Sequence, residues 1–168
     1  IWAFIEVADA VVEGDSHATD TKLLLALRNP GDLSDPIGPL WLEEMGRDLT
    51  ALGGVGVLTI LTFSVAGYLW LSGKVRAMWL VLCAIGSGLL VSTILKQGFD
   101  RTRPELVPHE SLVYTASFPS GHSMLSAITY LTLAALLARV QPNRALKTYF
   151  LSLAAFVTIG VGISRVYL

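Results

Sequence analysis

Four long apolar runs without a charged side chain constrain this sequence more than any other feature. They cover residues 49–73, 77–95, 123–138 and 148–164. About 17–25 such residues in a helix cross a hydrocarbon core roughly 30 Å thick, and the third run reaches this length only with the turn residues before it. Charged residues make up 15% of the chain, against about 25% in soluble domains. The predicted fold class is therefore all-α, a multi-span transmembrane helical bundle in a bilayer.

The runs predict one membrane domain, incomplete at both ends. Its spans are expected at about 51–71, 77–95, 121–138 and 148–164. Residues 1–13 are apolar but too few to cross a membrane, so we interpret them as the tail of an earlier span. The sequence also opens without Met and stops where a span ends.

A short segment before the first span has a different pattern. In "PLWLEEMGRDLTALGG", Trp41, Met45 and Leu49 recur every four residues, opposite Glu44 and Arg47. This spacing is typical of a short amphipathic helix lying along a membrane surface. An ordinary loop is an equally good interpretation of the sequence at this point.

The links between spans bear on orientation. "GKVR" and "RVQPNRALK" are so short that neighbouring spans must be antiparallel, which leaves the longer polar segments on the opposite side. Five of the twelve Lys and Arg residues fall in these links and seven on the other side. By density the links are cytoplasmic, although the raw count does not decide. This orientation holds only if several of the outer cations have another role. We expect a multi-pass protein of a bacterial cytoplasmic membrane.

Three polar segments are predicted to emerge together on that outer side. The first, "KQGFDRTRP", carries Lys96 and Arg103, and the last, "SR", carries Arg165. Each cation alone would suit an interfacial anchor. Three of them converging at span ends indicate an anion, because Arg presents a fork that fits phosphate oxygens and Lys adds a point charge.

The middle segment, "PSGH", completes this candidate site. Ser120 and Gly121 would supply backbone N–H groups at a helix N-terminus, which favours anions, and Gly121 has no Cβ to block a ligand. His122 has an ordinary pKa of about 6.5. Beside a phosphate, its ring could donate a proton to a leaving oxygen.

These segments resemble the signature of the type-2 phosphatidic acid phosphatase family. That pattern is Lys-x6-Arg-Pro, then Pro-Ser-Gly-His, then Ser-Arg-x5-His with an Asp four residues further on. The resemblance covers nearly the whole chain, including "RDLTALGG" before the first full span. It implies that Lys96, Arg103 and Arg165 bind the phosphoryl oxygens, that Ser120 and Gly121 hold the group, and that His122 is the general acid.

The resemblance also implies a histidine nucleophile that forms a phosphohistidine, without a metal or other cofactor. By the family spacing this histidine would be the sixth residue after Arg165, beyond Leu168, so we expect the natural chain to continue. The implied function is a membrane phosphatase acting on a lipid phosphomonoester or pyrophosphate at the outer face. Phosphatidic acid, phosphatidylglycerol phosphate and polyprenyl pyrophosphate all fit the motifs, and nucleic acid is not an expected partner.

Other interpretations remain open from the sequence. A non-catalytic lipid- or anion-binding membrane protein on the same scaffold is the main alternative. A transporter is disfavoured because the spans carry no charged residue, and a vanadate-dependent oxidase because those relatives are soluble. His109 and His17 are not placed by any motif and suit ordinary loop positions. The oligomeric state is not predicted.

Overall fold

The computed structural model describes residues 16–99 and 119–168. In these ranges it contains six helices and one short β-hairpin. In chain order these are α1 (Ser16–Ala26), β1 (Arg28–Asn29), β2 (Asp32–Pro36), α2 (Leu40–Leu52), α3 (Val55–Leu71), α4 (Val75–Phe99), α5 (Gly121–Val140) and α6 (Arg144–Tyr167). Residues 1–13, Arg103 and His109, for which the sequence made predictions, lie outside the described residues.

Helices α4, α5 and α6 are the long elements of the bundle. Val75–Gly98, Gly121–Val140 and Arg144–Tyr167 are each long and apolar enough to cross a membrane. Their helices extend a few residues beyond the apolar runs, because Lys96, Arg139 and Arg144 continue the helical backbone past the uncharged stretch. The transmembrane helical bundle predicted from the apolar runs is therefore confirmed.

The first predicted span, 51–71, is interrupted near its start. Helix α2 ends at Leu52 and α3 begins at Val55. Together the two helices are long and apolar enough to cross a membrane once, and they are bent by 47° relative to each other. Gly53 and Gly54 form the break, where their N–H groups donate to the carbonyls of Thr50 and Ala51 and close the last turn of α2. The segment that the sequence left as either helix or loop is helical.

The helices end in short turns on the side opposite that break. Gly73, at φ 70°, lies between α3 and α4 in a left-handed conformation that favours glycine. Asn143 caps α6, accepting a hydrogen bond from the Ala145 amide at 2.8 Å. These turns, Ser72–Lys74 and Gln141–Asn143, define what we call the link end of the bundle; the opposite end is called the site end.

The interior of the bundle consists mainly of small side chains. Buried residues include Ala66, Ala134, Ala138, Ala154, Ser126 and Thr129, whereas Phe63, Trp70, Phe156 and Ile159 are more than half exposed. This arrangement is the reverse of a soluble core. It suits a membrane, where small residues let helices approach closely and lipid covers the large apolar ones.

Before the bundle, residues 16–36 form structure that the sequence did not predict. Helix α1 has its Leu residues in one block, Leu23–Leu25, without the spacing that marks an amphipathic helix. The hairpin is held by side chains: Asn29 donates to Asp35, and the Ser34 amide and hydroxyl both donate to Asp32. Those two bonds lower the pKa of the Asp32 carboxyl.

Candidate active site at one end of the bundle

The turn that begins α5 organises the site end. Ser120 is the N-cap, and its Oγ accepts hydrogen bonds from the Ser123 amide at 3.4 Å and the Ser123 hydroxyl at 3.2 Å. Pro119 is buried, and Ser120 and Gly121 are half-buried. The first N–H groups of a helix have no partner within the helix, so this capped turn presents amide donors and the positive end of the helix dipole.

Lys96 lies directly over this turn. A Cβ atom built on Gly121 would lie 3.2 Å from Lys96 Nζ, 3.5 Å from its Cε and 4.0 Å from Ser92 Oγ. Because glycine has no side chain, the ammonium group reaches the backbone of the helix entry. Lys96 belongs to the last turn of α4 and Gly121 to the first turn of α5, so the structure brings two of the sequence-predicted residues together.

His122 follows Gly121 and is half-buried against the break between α2 and α3. A Cβ atom built on Gly53 would lie 3.1 Å from the His122 carbonyl oxygen and 3.2 Å from its Cβ. The same atom would lie 2.6 Å from Val161 Cγ1 in α6. Gly53, in the break, therefore lies against both the backbone of His122 and the side chain of Val161 in α6.

Arg165 lies in the last turn of α6, at the site end. It is one helical turn beyond Val161, so the two residues share a face of the helix. A Cβ atom on Gly162 would lie 3.9 Å from Ser123 Oγ, which shows that the end of α6 packs against the start of α5. Arg165 is half-buried, and the preceding residue, Ser164, is only 3% exposed.

Ser164 connects this turn to helix α2. Its Oγ accepts a hydrogen bond from Thr50 Oγ1 at 2.8 Å and donates one to the Val161 carbonyl at 2.8 Å. Sequence motifs located Ser164 and His122 but gave no sign that Thr50 contacts the first and Gly53 the second. The only available signal was "RDLTALGG", which places a hydroxyl three residues before a glycine pair.

The described residues thus bring Lys96, Ser120, Gly121 and His122 to one end, with Arg165 at the end of the adjoining helix. Arg103, the third predicted cation, lies outside them. Within residues 16–99 and 119–168, no three His, Cys, Asp or Glu side chains are grouped so as to hold a metal ion. A cation over a helix N-terminus, with a second cation at the end of the adjoining helix, suits an anion with several oxygens.

Fold and site together define a helical membrane protein with a candidate anion-binding centre at one end of its bundle. Comparison with known proteins makes the class specific. The model of the PAP2 superfamily matches residues 76–168, which include α5, α6 and nearly all of α4. The chain belongs to this superfamily.

Two proteins of Bacillus subtilis are similar to the chain. Phosphatidylglycerophosphatase B of strain 168 is 34% identical over 132 residues, which cover 76% of this chain and 63% of the relative. A crystal structure of a transmembrane PAP2-type phosphatidylglycerolphosphate phosphatase matches with a TM-score of 0.86 at 28% identity, covering 99% of this chain and 80% of the other. The chain therefore spans less than two thirds of the length of that curated relative.

Proposed function

We propose that the full protein is a membrane lipid phosphatase that cleaves the terminal phosphate of a phospholipid without a metal ion. The contact that carries the proposal is that of Lys96 with the helix entry at Gly121, beside His122. A cation over a capped helix N-terminus is a strong electrostatic setting for a phosphoryl group. A proton donor beside it is what a poor leaving group such as an alkoxide needs.

The proposed roles follow from this placement. Lys96, Arg165 and Arg103 bind the phosphoryl oxygens, Arg103 on the family pattern alone. The Ser120 hydroxyl and the Gly121 amide complete the cradle. Ser120 keeps its own hydroxyl proton while its oxygen accepts from Ser123, so the proton is available to a phosphoryl oxygen.

The proposed reaction has two displacements at phosphorus. In the first, a histidine that the family pattern places six residues after Arg165 attacks phosphorus, and the bond from phosphorus to the lipid oxygen breaks. His122 gives its proton to that oxygen. In the second, water attacks the phosphohistidine, the phosphorus–nitrogen bond breaks, and His122 takes a proton from the water.

An apolar groove supports a lipid as the substrate. It has a volume of about 240 Å³ and lies between α3, α4 and α5. Leu125 and Thr129 of its wall are one and two turns along α5 from His122, and Phe63 and Leu89 line its other sides. An acyl chain could lie in this groove while the phosphate meets Lys96 at the site end.

Phosphatidylglycerol phosphate is the substrate we favour, because the Bacillus subtilis relative is a phosphatidylglycerophosphatase. We place the protein in a bacterial cytoplasmic membrane with the site end outward. This orientation puts the cations of the link turns on the cytoplasmic side, as the distribution of Lys and Arg favours.

The test uses the natural full-length chain, purified in detergent. Phosphatidylglycerol phosphate is mixed with the protein in EDTA, and released phosphate is measured. We expect turnover that EDTA leaves unchanged and that His122→Ala removes almost completely. Binding of the lipid without phosphate release would instead favour the non-catalytic binding protein, and loss of turnover in EDTA would contradict the metal-free mechanism.

A further inference from the structure

One face of α2, continued by its C-cap Gly53, meets the site end at three positions. Gly46, Thr50 and Gly53 are spaced i, i+4 and i+7, so they lie on one side of the helix. A Cβ atom on Gly46 would lie 3.3 Å from Tyr167 Cδ1, and Thr50 bonds to Ser164. Gly53 meets His122. This face of α2 therefore touches the residues on either side of Arg165 and the residue proposed as the acid.

The contact at Gly53 is with parts of His122 that cannot rotate away. The neighbours of a Cβ there are the His122 carbonyl oxygen and Cβ, at 3.1 and 3.2 Å. Neither atom moves when the imidazole changes rotamer. A methyl group at position 53 would therefore displace the backbone of the helix entry, and the ring of His122 with it.

The contact at Thr50 is with the helix turn that carries Arg165, whereas the contact at Gly53 is with His122. Ser164 accepts from Thr50 and donates to Val161, so its hydroxyl is fixed at both ends. Ser164 immediately precedes Arg165, and their side chains leave the same turn of α6. The Thr50 bond thus sets the rotation of the turn that carries the Arg165 guanidinium.

Two further bonds hold α2 in this position. Tyr167 donates to the Ile37 carbonyl at 2.9 Å, just before α2, and Tyr130 of α5 donates to the Leu52 carbonyl at 2.8 Å, at its end. Both ends of α2 are therefore bound to the helices that carry His122 and Arg165. The 47° bend to α3 directs α2 across them.

We infer that Gly53 and Thr50 are positioning residues, which set the His122 ring and the Arg165 guanidinium for phosphoryl transfer. The inference rests on the proposed function for the roles of those two side chains. It assigns α2 a task beyond that of a membrane-surface helix: α2 fixes the distance between the proton donor and a phosphoryl-binding cation.

The first experiment compares Gly53→Ala with Gly56→Ala in the full-length protein. A Cβ at Gly56 would have nothing within 4 Å, so this variant controls for adding a methyl group to the same segment. We expect Gly53→Ala to lower kcat on the lipid about tenfold or more, since small misplacements of reacting groups are costly. KM should change little. The kcat on nitrophenyl phosphate, whose leaving group barely needs protonation, should fall less than the kcat on the lipid.

A second readout does not need activity. In protein labelled at histidine, the His122 ring resonance is identified by its loss in His122→Ala. We expect this resonance to shift in Gly53→Ala and to stay in place in Gly56→Ala. If the wild type hydrolyses no lipid phosphate but this shift occurs, the proposed function fails and the positioning role stands.

A double variant guards against simple misfolding. Gly53→Ala combined with Val161→Ala removes the 2.6 Å contact with Val161 Cγ1 but keeps both contacts with His122. We expect thermal stability to recover while the selective loss on the lipid substrate persists. Recovery of lipid turnover together with stability would overturn the positioning role of Gly53. Identical behaviour of Gly53→Ala and Gly56→Ala in both readouts would do the same.

Thr50 is tested by Thr50→Val and Thr50→Ser. Valine removes the hydroxyl at nearly constant volume, whereas serine keeps it. Thr50→Val should raise KM for both substrates alike, because Arg165 acts on the phosphoryl group they share, and Thr50→Ser should restore it. Equal KM values for Thr50→Val and the wild type would show that this hydrogen bond does not position Arg165.

Discussion

The two ends of the bundle carry similar residues in different surroundings. Both have tight turns, glycines and cations; those of the link end are Lys74, Arg76, Arg139, Arg144 and Lys147. At the link end, Gly73 has nothing within 4 Å of a built Cβ, and Lys74 is exposed. At the site end, Lys96 is half-buried and crowds Gly121. The number of cations therefore does not distinguish a candidate binding site from a turn that only anchors the bundle in the membrane. Close packing of a cation against a glycine does distinguish them.

The largest expected effect concerns the two ends of α5, His122 and Arg139. His122→Ala should lower turnover on the lipid by about 10²–10⁴-fold, the usual range for a lost general acid. Arg139→Ala, at the link end, should leave turnover near that of the wild type. Both are compared on the lipid and on nitrophenyl phosphate in detergent, after a check of folding. Equal losses on the two substrates for His122→Ala would show that this histidine is not the acid.

The next comparison is between Lys96 and Lys74, at opposite ends of α4. Lys96→Ala should lower kcat/KM by about 10²–10³-fold, as for other groups that stabilise developing charge. The loss should be the same on both substrates, because the phosphoryl charge is common to them. Lys74→Ala should change neither. A comparable loss for Lys74→Ala would remove the distinction between the two ends.

A smaller effect is expected when a methyl group is added to Gly121. The new Cβ would lie 3.2 Å from Lys96 Nζ, and the flexible lysine must retreat by a few tenths of an ångström. We expect kcat/KM to fall about tenfold. This corresponds to a free energy at the low end of the range for over-packing a side chain. Gly67→Ala, where a Cβ meets nothing within 4 Å, is the control. Unchanged activity in Gly121→Ala would indicate that the close approach of Lys96 is not needed.

The smallest expected effect on turnover distinguishes two residues that cap helices. Ser120 caps α5 at the site end and Asn143 caps α6 at the link end. Either Ala substitution should cost about 1 kcal/mol of stability, measured as a lower Tm in one detergent. Only Ser120→Ala should also reduce turnover, since its hydroxyl is proposed to hold the phosphoryl group. Equal turnover in the two variants would make Ser120 a cap and nothing more.

Much of the bundle could be predicted because hydropathy is a local property. The uncharged runs located α4, α5 and α6 to within a few residues. The break at Gly53 escaped prediction, because two glycines inside an apolar run also suit a continuous span. Helix α1 escaped because its apolar residues form a block.

The candidate site was likewise predictable only in part. Motif spacing identified Lys96, Ser120, Gly121, His122 and Arg165 as residues at helix ends. It could not identify Thr50 or Gly53, because their partners lie 114 and 69 residues away along the chain. A glycine also carries no chemistry that a motif could signal. Its importance appears only when the neighbouring backbone is in place.

The packing of small residues inside and large ones outside decides which changes the sequence tolerates. Outward residues such as Phe156 and Ile159 pack against no other helix over most of their surface, so they can be exchanged for other large apolar residues. At buried positions such as Ala134 and Ala154, the approach of neighbouring helices depends on side-chain volume, which hydropathy does not measure. Relatives can therefore diverge widely in their most apolar positions and keep the same helix geometry. Added volume at a buried alanine is therefore opposed by the helix that packs against it.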